Sequence, residues 1–141
     1  MESHKGYILI AEDDPDDQLL LRSAFAELSL SHELVFVENG IELISYFDEK
    51  IDAEKGRLPN LLIVDLNMPR KNGREAIKEL VTKDYFWSFP TVIFSTTGNE
   101  IDRAHCRDLG IKEYFVKPSN YHQLVSMVNQ FSAMAARIRH A

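Results

Sequence analysis

The stretch "LPNLLIVDLNMPRKNG", residues 58–73, runs an unbroken apolar segment into a single acid. Leu61, Leu62, Ile63 and Val64 show no polar alternation, as in a strand covered on both faces, and Asp65 follows them, a residue type such surroundings rarely tolerate. Strands of that kind belong to parallel sheets, so the rest of the chain is read for neighbours. Apolar runs of strand length recur at 7–11 (YILIA), 33–37 (ELVFV), 91–95 (TVIFS) and 113–117 (EYFVK), which with 61–65 make five. Helical spacing fills the gaps. Leu21, Ala24, Phe25 and Leu28 share a face after Asp14-Pro15, and Leu124, Val128, Phe131, Ala135 and Ile138 share one at the end. This βα alternation predicts a doubly wound α/β sandwich, (βα)5, with right-handed crossovers and a five-stranded parallel sheet in the flavodoxin-like order 2-1-3-4-5.

The 141 residues fit one domain, 1–141, with a core over about 6–131 and a last helix extended to about 138; no output domain is expected. A net charge of −6 argues against nucleic acid as a partner, because affinity for phosphates is built from Lys and Arg. The opening "MESHKGYILIAEDD" is neither a signal peptide nor a membrane span, so a cytoplasmic location is expected and no membrane partner. Cys106 is the one cysteine and has no internal disulfide partner; it reads as a small buried thiol, with a reactive thiol as the alternative. The charged "DEKIDAEKGRLPN", 48–60, closes the second helix and its loop. His4, His32, His105, His122 and His140 show no metal-ligand spacing and are assigned no role.

Ligands of such sheets sit at the carboxyl ends of the strands. There the sequence places Glu12-Asp13-Asp14, Asp65, Ser95-Thr96-Thr97 and Lys117-Pro118. Asp14 is read as a helix N-cap before Pro15, with Asp16 and Asp17 facing the positive end of the helix dipole. Glu12, Asp13 and Asp65 lack that explanation. Two such charges about 4 Å apart repel by roughly 4 kcal/mol at an effective dielectric near 20, which calls for a cation. The all-oxygen set suits Mg²⁺, with Asp13 and Asp65 as direct ligands, Asn67 through its backbone carbonyl and Glu12 holding a metal-bound water. Lys117 supplies a second positive charge. An aspartate in that setting can act as nucleophile toward phosphorus, with Asp65 as the acceptor and Ser95 sharing the neutralisation of charge.

"ILIAEDDP", "LLIVDLNMPRKNG", "VIFSTTGNE" and "YFVKPSN" resemble, in order and spacing, the motifs of the response-regulator receiver domain of two-component signalling, and the likeness covers almost the whole chain. The resemblance implies that Asp65 takes a phosphoryl group from a phosphohistidine on a sensor histidine kinase and that Glu12 and Asp13 bind Mg²⁺. It implies Ser95 as the switch hydroxyl, Thr96 and Lys117 as phosphate contacts, Tyr114 as the switch aromatic, Asn67 and Thr97 as positions that tune hydrolysis, and a cis peptide before Pro118. Ser95 stands where threonine is commoner, so the hydroxyl is kept and the methyl lost. "MPRKNGRE" looks closest to stand-alone receivers associated with bacterial phytochromes, which points to a phytochrome kinase as donor and to a homodimer through the helix 4, strand 5 and helix 5 face. The last helix reads first as core packing, with pairing to a second copy past the sheet as the alternative. "KDYFWSFP", 83–90, is unusually aromatic; it reads as a hydrophobic plug closing the sheet edge, with a partner surface as the alternative.

The leading expectation is therefore a phosphorylation-dependent switch that catalyses nothing beyond its own phosphorylation and dephosphorylation. An intermediate carrier in a phosphorelay, exchanging with a histidine phosphotransfer protein, is the alternative. An aspartyl-nucleophile phosphatase of the haloacid-dehalogenase type needs a second acid two residues after the first, where this chain has Asn67. A flavin module needs a phosphate cradle where "AEDDPDDQ" presents carboxylates.

Overall fold

The computed structural model describes residues 6–28, 32–52 and 57–138. Residues 53–56 of the charged 48–60 stretch, and His4 and His140, lie outside the described residues. The order is β1 (Tyr7–Ala11), α1 (Pro15–Glu27), β2 (Glu33–Val37), α2 (Gly40–Asp52), β3 (Leu61–Val64), α3 (Gly73–Leu80), a 3₁₀ turn (Asp84–Ser88), β4 (Thr91–Ser95), α4 (Glu100–Asp108), β5 (Glu113–Val116) and α5 (Tyr121–Ala136). All strand pairs are parallel, in the order β2-β1-β3-β4-β5.

The lack of alternation in β1 and β3 has the expected cause: every residue of both is buried. Leu9, Leu62, Val64 and Ile93 face a cluster with Leu43 and Phe47 of α2 and Ala76, Ile77 and Leu80 of α3. Ile8, Ile10, Leu61, Ile63 and Val92 face the opposite way, onto Leu21, Ala24 and Phe25 of α1 and Leu124, Val128, Phe131 and Ala135 of α5. The helix starts follow side-chain chemistry. Asp14 caps α1 by accepting from the Asp16 N–H, Asn99 and Asn120 cap α4 and α5, and Asn72 with Glu75 forms a reciprocal capping box on α3. Helix α5 ends at Ala136 with Arg137 as its C-cap, so Ile138 lies beyond it.

The aromatic segment does not plug a sheet edge, because β4 is an interior strand. Its 3₁₀ turn folds Phe86, and the residue after it, Phe89, inward under α2, where Phe89 stacks on Phe47 at 5.6 Å. Trp87 is turned outward, 54% exposed, and its indole N–H donates to the Val81 carbonyl. At the amino end of the sheet the buried Asn60 amide nitrogen donates to the carbonyls of Ala135 and Ile138, both at 3.1 Å, with His32 Nε2 at 3.3 Å.

Candidate functional site

Ala11 of β1 is in register with Val64 of β3, so the residues that follow, Glu12 and Asp65, emerge side by side. Glu12 is 1% and Asp65 6% exposed; Asp13 is half-buried. One carboxylate oxygen from each of the three lies within 4.8 Å of the others. Lys117 follows β5 and crosses to this cluster. Its Nζ donates to Glu12 Oε1 at 2.7 Å, Asp17 Oδ2 at 2.8 Å and Asp65 Oδ2 at 3.0 Å. The backbone N–H of Asn67 donates to Asp65 Oδ1 at 2.9 Å, and that of Asp14 to Glu12 Oε2 at 3.1 Å.

Burial pushes the Glu12 carboxyl up to about 7, against the hydrogen bond and the field of Lys117. Burial also opposes the charge on Lys117, but its hydrogen bonds to Asp17 and Glu12 and the fields of Glu12 and Asp65 prevail and hold it above the usual lysine range. One ammonium thus faces more negative charge than it neutralises. The donor set is entirely oxygen and the cluster is under-compensated, which fits a hard divalent cation held by Glu12, Asp13 and Asp65.

Ser95 ends β4 with no exposed surface. Its Oγ accepts the long contacts of the Thr97 N–H at 3.4 Å and the Asn67 amide at 3.5 Å, so it is lightly held. Thr96 is exposed on the same loop. The Tyr114 hydroxyl donates to the Thr97 carbonyl, and the Arg103 guanidinium lies 4.7 Å over the Tyr114 ring while its Nε donates to the Gly98 carbonyl at 3.0 Å. Burial first, then the Asp102 field, raises the Tyr114 phenol.

The structure brings Glu12, Asp13, Asp65, Asn67, Ser95, Thr97 and Lys117 to one edge, with Tyr114 joined through Thr97. The expectation at Pro118 is corrected. Among the described residues no peptide bond is cis, and Lys117–Pro118 is trans, the isomer that even prolyl bonds prefer by about 0.5–1 kcal/mol.

Two features were not read from the sequence. Asp17, taken for a helix-dipole acid, is an anchor of Lys117; its signal was its place one turn after Asp14, on the face of α1 that looks back at the end of β1. Arg74 of α3 makes a bidentate pair with the buried Asp102 of α4, and residues so far apart in the chain give no local signal. Gly73 has a steric role: a Cβ there would meet the Asp65 carbonyl oxygen at 2.2 Å, so only glycine lets α3 start against the backbone of Asp65.

A parallel five-stranded sheet with three carboxylates, a lysine and a buried hydroxyl at its carboxyl edge defines the receiver class. The model of the response regulator receiver domain matches residues 8–129, and the chain belongs to that family. Its similar proteins include response regulator Rcp1 of Synechocystis sp., 30% identical over 121 residues, 86% of this chain and 82% of Rcp1. In structure it resembles the phosphorylated cyanobacterial phytochrome response regulator RcpA, at 31% identity and a TM-score of 0.84 over 94% of this chain and 95% of that one. The Mn²⁺-bound form of Rcp1 matches at 28% identity and a TM-score of 0.80, over 91% and 92% of the two chains.

Proposed function

We propose that this receiver accepts a phosphoryl group on Asp65 from a phosphohistidine of a sensor histidine kinase and passes the change to the face formed by α4, β5 and α5. The observation that carries this reading is the setting of Asp65. It is a buried carboxylate with one oxygen held by the Asn67 N–H and the other by Lys117, beside two further acids and a lightly held hydroxyl. In the transfer an Asp65 oxygen bonds to phosphorus, the phosphorus–nitrogen bond breaks, and the imidazole leaves with the bonding pair. Mg²⁺, when held by Glu12, Asp13, Asp65 and the Asn67 carbonyl, supplies positive charge to the phosphoryl oxygens. Lys117 exchanges a carboxylate for a phosphoryl oxygen, and the Ser95 hydroxyl turns to donate to another. Movement of Ser95 then reaches Tyr114 through the loop carbonyl of Thr97.

The likeness of this chain to RcpA, a cyanobacterial phytochrome response regulator, supports a phytochrome-linked kinase as the donor. Among the described residues no helix is long and apolar enough to cross a membrane. The protein turns over no substrate beyond its own acyl phosphate, and a homodimer through the α4, β5 and α5 face belongs to the same reading. Intact-mass spectrometry after incubation with acetyl phosphate and Mg²⁺ tests it: wild type gains one phosphoryl group and Asp65→Asn gains none. Equal labelling of both proteins would sink the assignment.

A further inference from the structure

Two of the groups that touch the Ser95 hydroxyl, the Asn67 amide and the Thr97 backbone, belong to residues at opposite ends of one chain of side-chain hydrogen bonds. Arg74 Nη1 donates to Asn67 Oδ1 at 3.2 Å and to the Leu66 carbonyl at 3.4 Å. The same guanidinium donates through Nε and Nη2 to the two oxygens of Asp102, both at 2.8 Å. Asn99 Nδ2 continues the chain, reaching Asp102 Oδ2 at 3.4 Å and Thr97 Oγ1 at 2.8 Å. Asp102 is fixed in turn, since its own N–H donates to Asn99 Oδ1 at 2.8 Å and its carboxyl is held low by the hydrogen bond from Arg74.

We infer that Arg74, clamped by Asp102, is a positioning residue for phosphoryl transfer at Asp65: it orients the Asn67 amide. The inference rests on the proposed function. Arginine only donates, so the Asn67 atom facing it must be the carbonyl oxygen, and the NH₂ group is turned to the Ser95 hydroxyl. That places donors where charge develops on the phosphoryl oxygens, both when the group arrives and when water removes it. Asn67 is exposed and short of other side-chain restraint, whereas the fork on Asp102 is rigid and partly shielded from solvent. An amide released by Arg74 is free to turn its acceptor toward the site. Arg74 touches no reacting atom; it acts through Asn67.

The test is a double-mutant cycle read by the rate of labelling with acetyl phosphate and Mg²⁺ and by the decay of the acyl phosphate once the donor is removed. Arg74→Gln is expected to slow both by about three- to tenfold in the Asn67 protein, and to change neither by more than about 1.5-fold in an Asn67→Ala background. Asp102→Asn, which keeps Arg74 but loses the charged fork, should move both rates the same way. A thermal melt of each variant confirms the fold, and the Asn67 side-chain amide signals in a ¹⁵N spectrum of the unphosphorylated protein should shift toward those of a free asparagine in Arg74→Gln. Equal slowing in both backgrounds would mean that Arg74 acts by charge or scaffold alone, and it overturns the inference, as does no slowing in either. Failure of the wild type to label at Asp65 overturns the proposed function itself, and this inference with it.

Discussion

Replacing Lys117 by Met removes the ammonium that binds Glu12, Asp17 and Asp65 at 2.7, 2.8 and 3.0 Å, and leaves an apolar stem of similar length. Two of those carboxylates are buried, and taking one partner from a buried pair costs about 3–5 kcal/mol. For a chain of this size that is a fall of roughly 10–20 °C in Tm. The loss depends on pH, and its sign follows from Glu12. Its folded-state value of about 7 is raised above the ordinary 4.5, so the folded protein binds that proton more tightly than the unfolded chain. Its contribution to stability is full below about 4.5 and is lost as the pH rises through about 7. Without Lys117 the value moves further up, because the opposing cation is gone, and the decline steepens. Metal-free Lys117→Met should therefore lose most at pH 8 and less than half as much at pH 5.5, where Glu12 takes a proton. Millimolar Mg²⁺ should restore more stability to the variant than to the wild type, since the cation replaces the missing charge. Urea and thermal melts at the two pH values, with and without Mg²⁺, measure all of this. A loss below about 1 kcal/mol at pH 8, or one indifferent to both pH and Mg²⁺, refutes the electrostatic account of the cluster.

Gly73→Ala should cost about 2–4 kcal/mol in urea melts and slow labelling of Asp65, because the new methyl group would sit 2.2 Å from the Asp65 carbonyl and must push α3 off the site. Gly110→Ala meets two penalties, a backbone φ of +97° and a Trp87 ring atom 2.9 Å from the added carbon; a loss of at least about 1 kcal/mol and a changed tryptophan emission are expected. Cys106 is buried, and burial pushes its thiol up to about 11, so it should react with a disulfide reagent at pH 8 only as fast as the protein opens.

The sheet was legible because parallel strands buried on both faces leave unbroken apolar runs, and β1, β2 and β4 have the bounds the runs suggested. Runs three and five extend one residue too far, since Asp65 and Lys117 lie just past the last ladder pair, where strand ends meet the site. The acids, the hydroxyl and the lysine were legible for the same reason: each interrupts or terminates an apolar run, which asks for an explanation. Arg74 lies inside a helix whose surface is expected to be charged, so nothing in its neighbourhood distinguished it, whereas Asp17 was explained by the helix dipole although its place one turn after Asp14 turned it toward the end of β1. The segment 83–90 was ambiguous because aromatic composition cannot say which ring turns inward. The structure divides it, Phe86 and Phe89 to the core and Trp87 to the surface.

The Asn60 amide, far from the acids, has a mechanical consequence. It fastens the carbonyls of Ala135 and Ile138 to the base of β3, so the tail end of α5 is a fixed pivot. The head of that helix starts four residues beyond Lys117. Sixteen residues make a rod about 24 Å long, and a sideways displacement of about 2 Å at its free end is a rotation of about 5°. Lever travel is greatest beside Lys117 and vanishes at Asn60. A partner that grips the head half of α5 would feel the state of the site, and one that grips the tail would not.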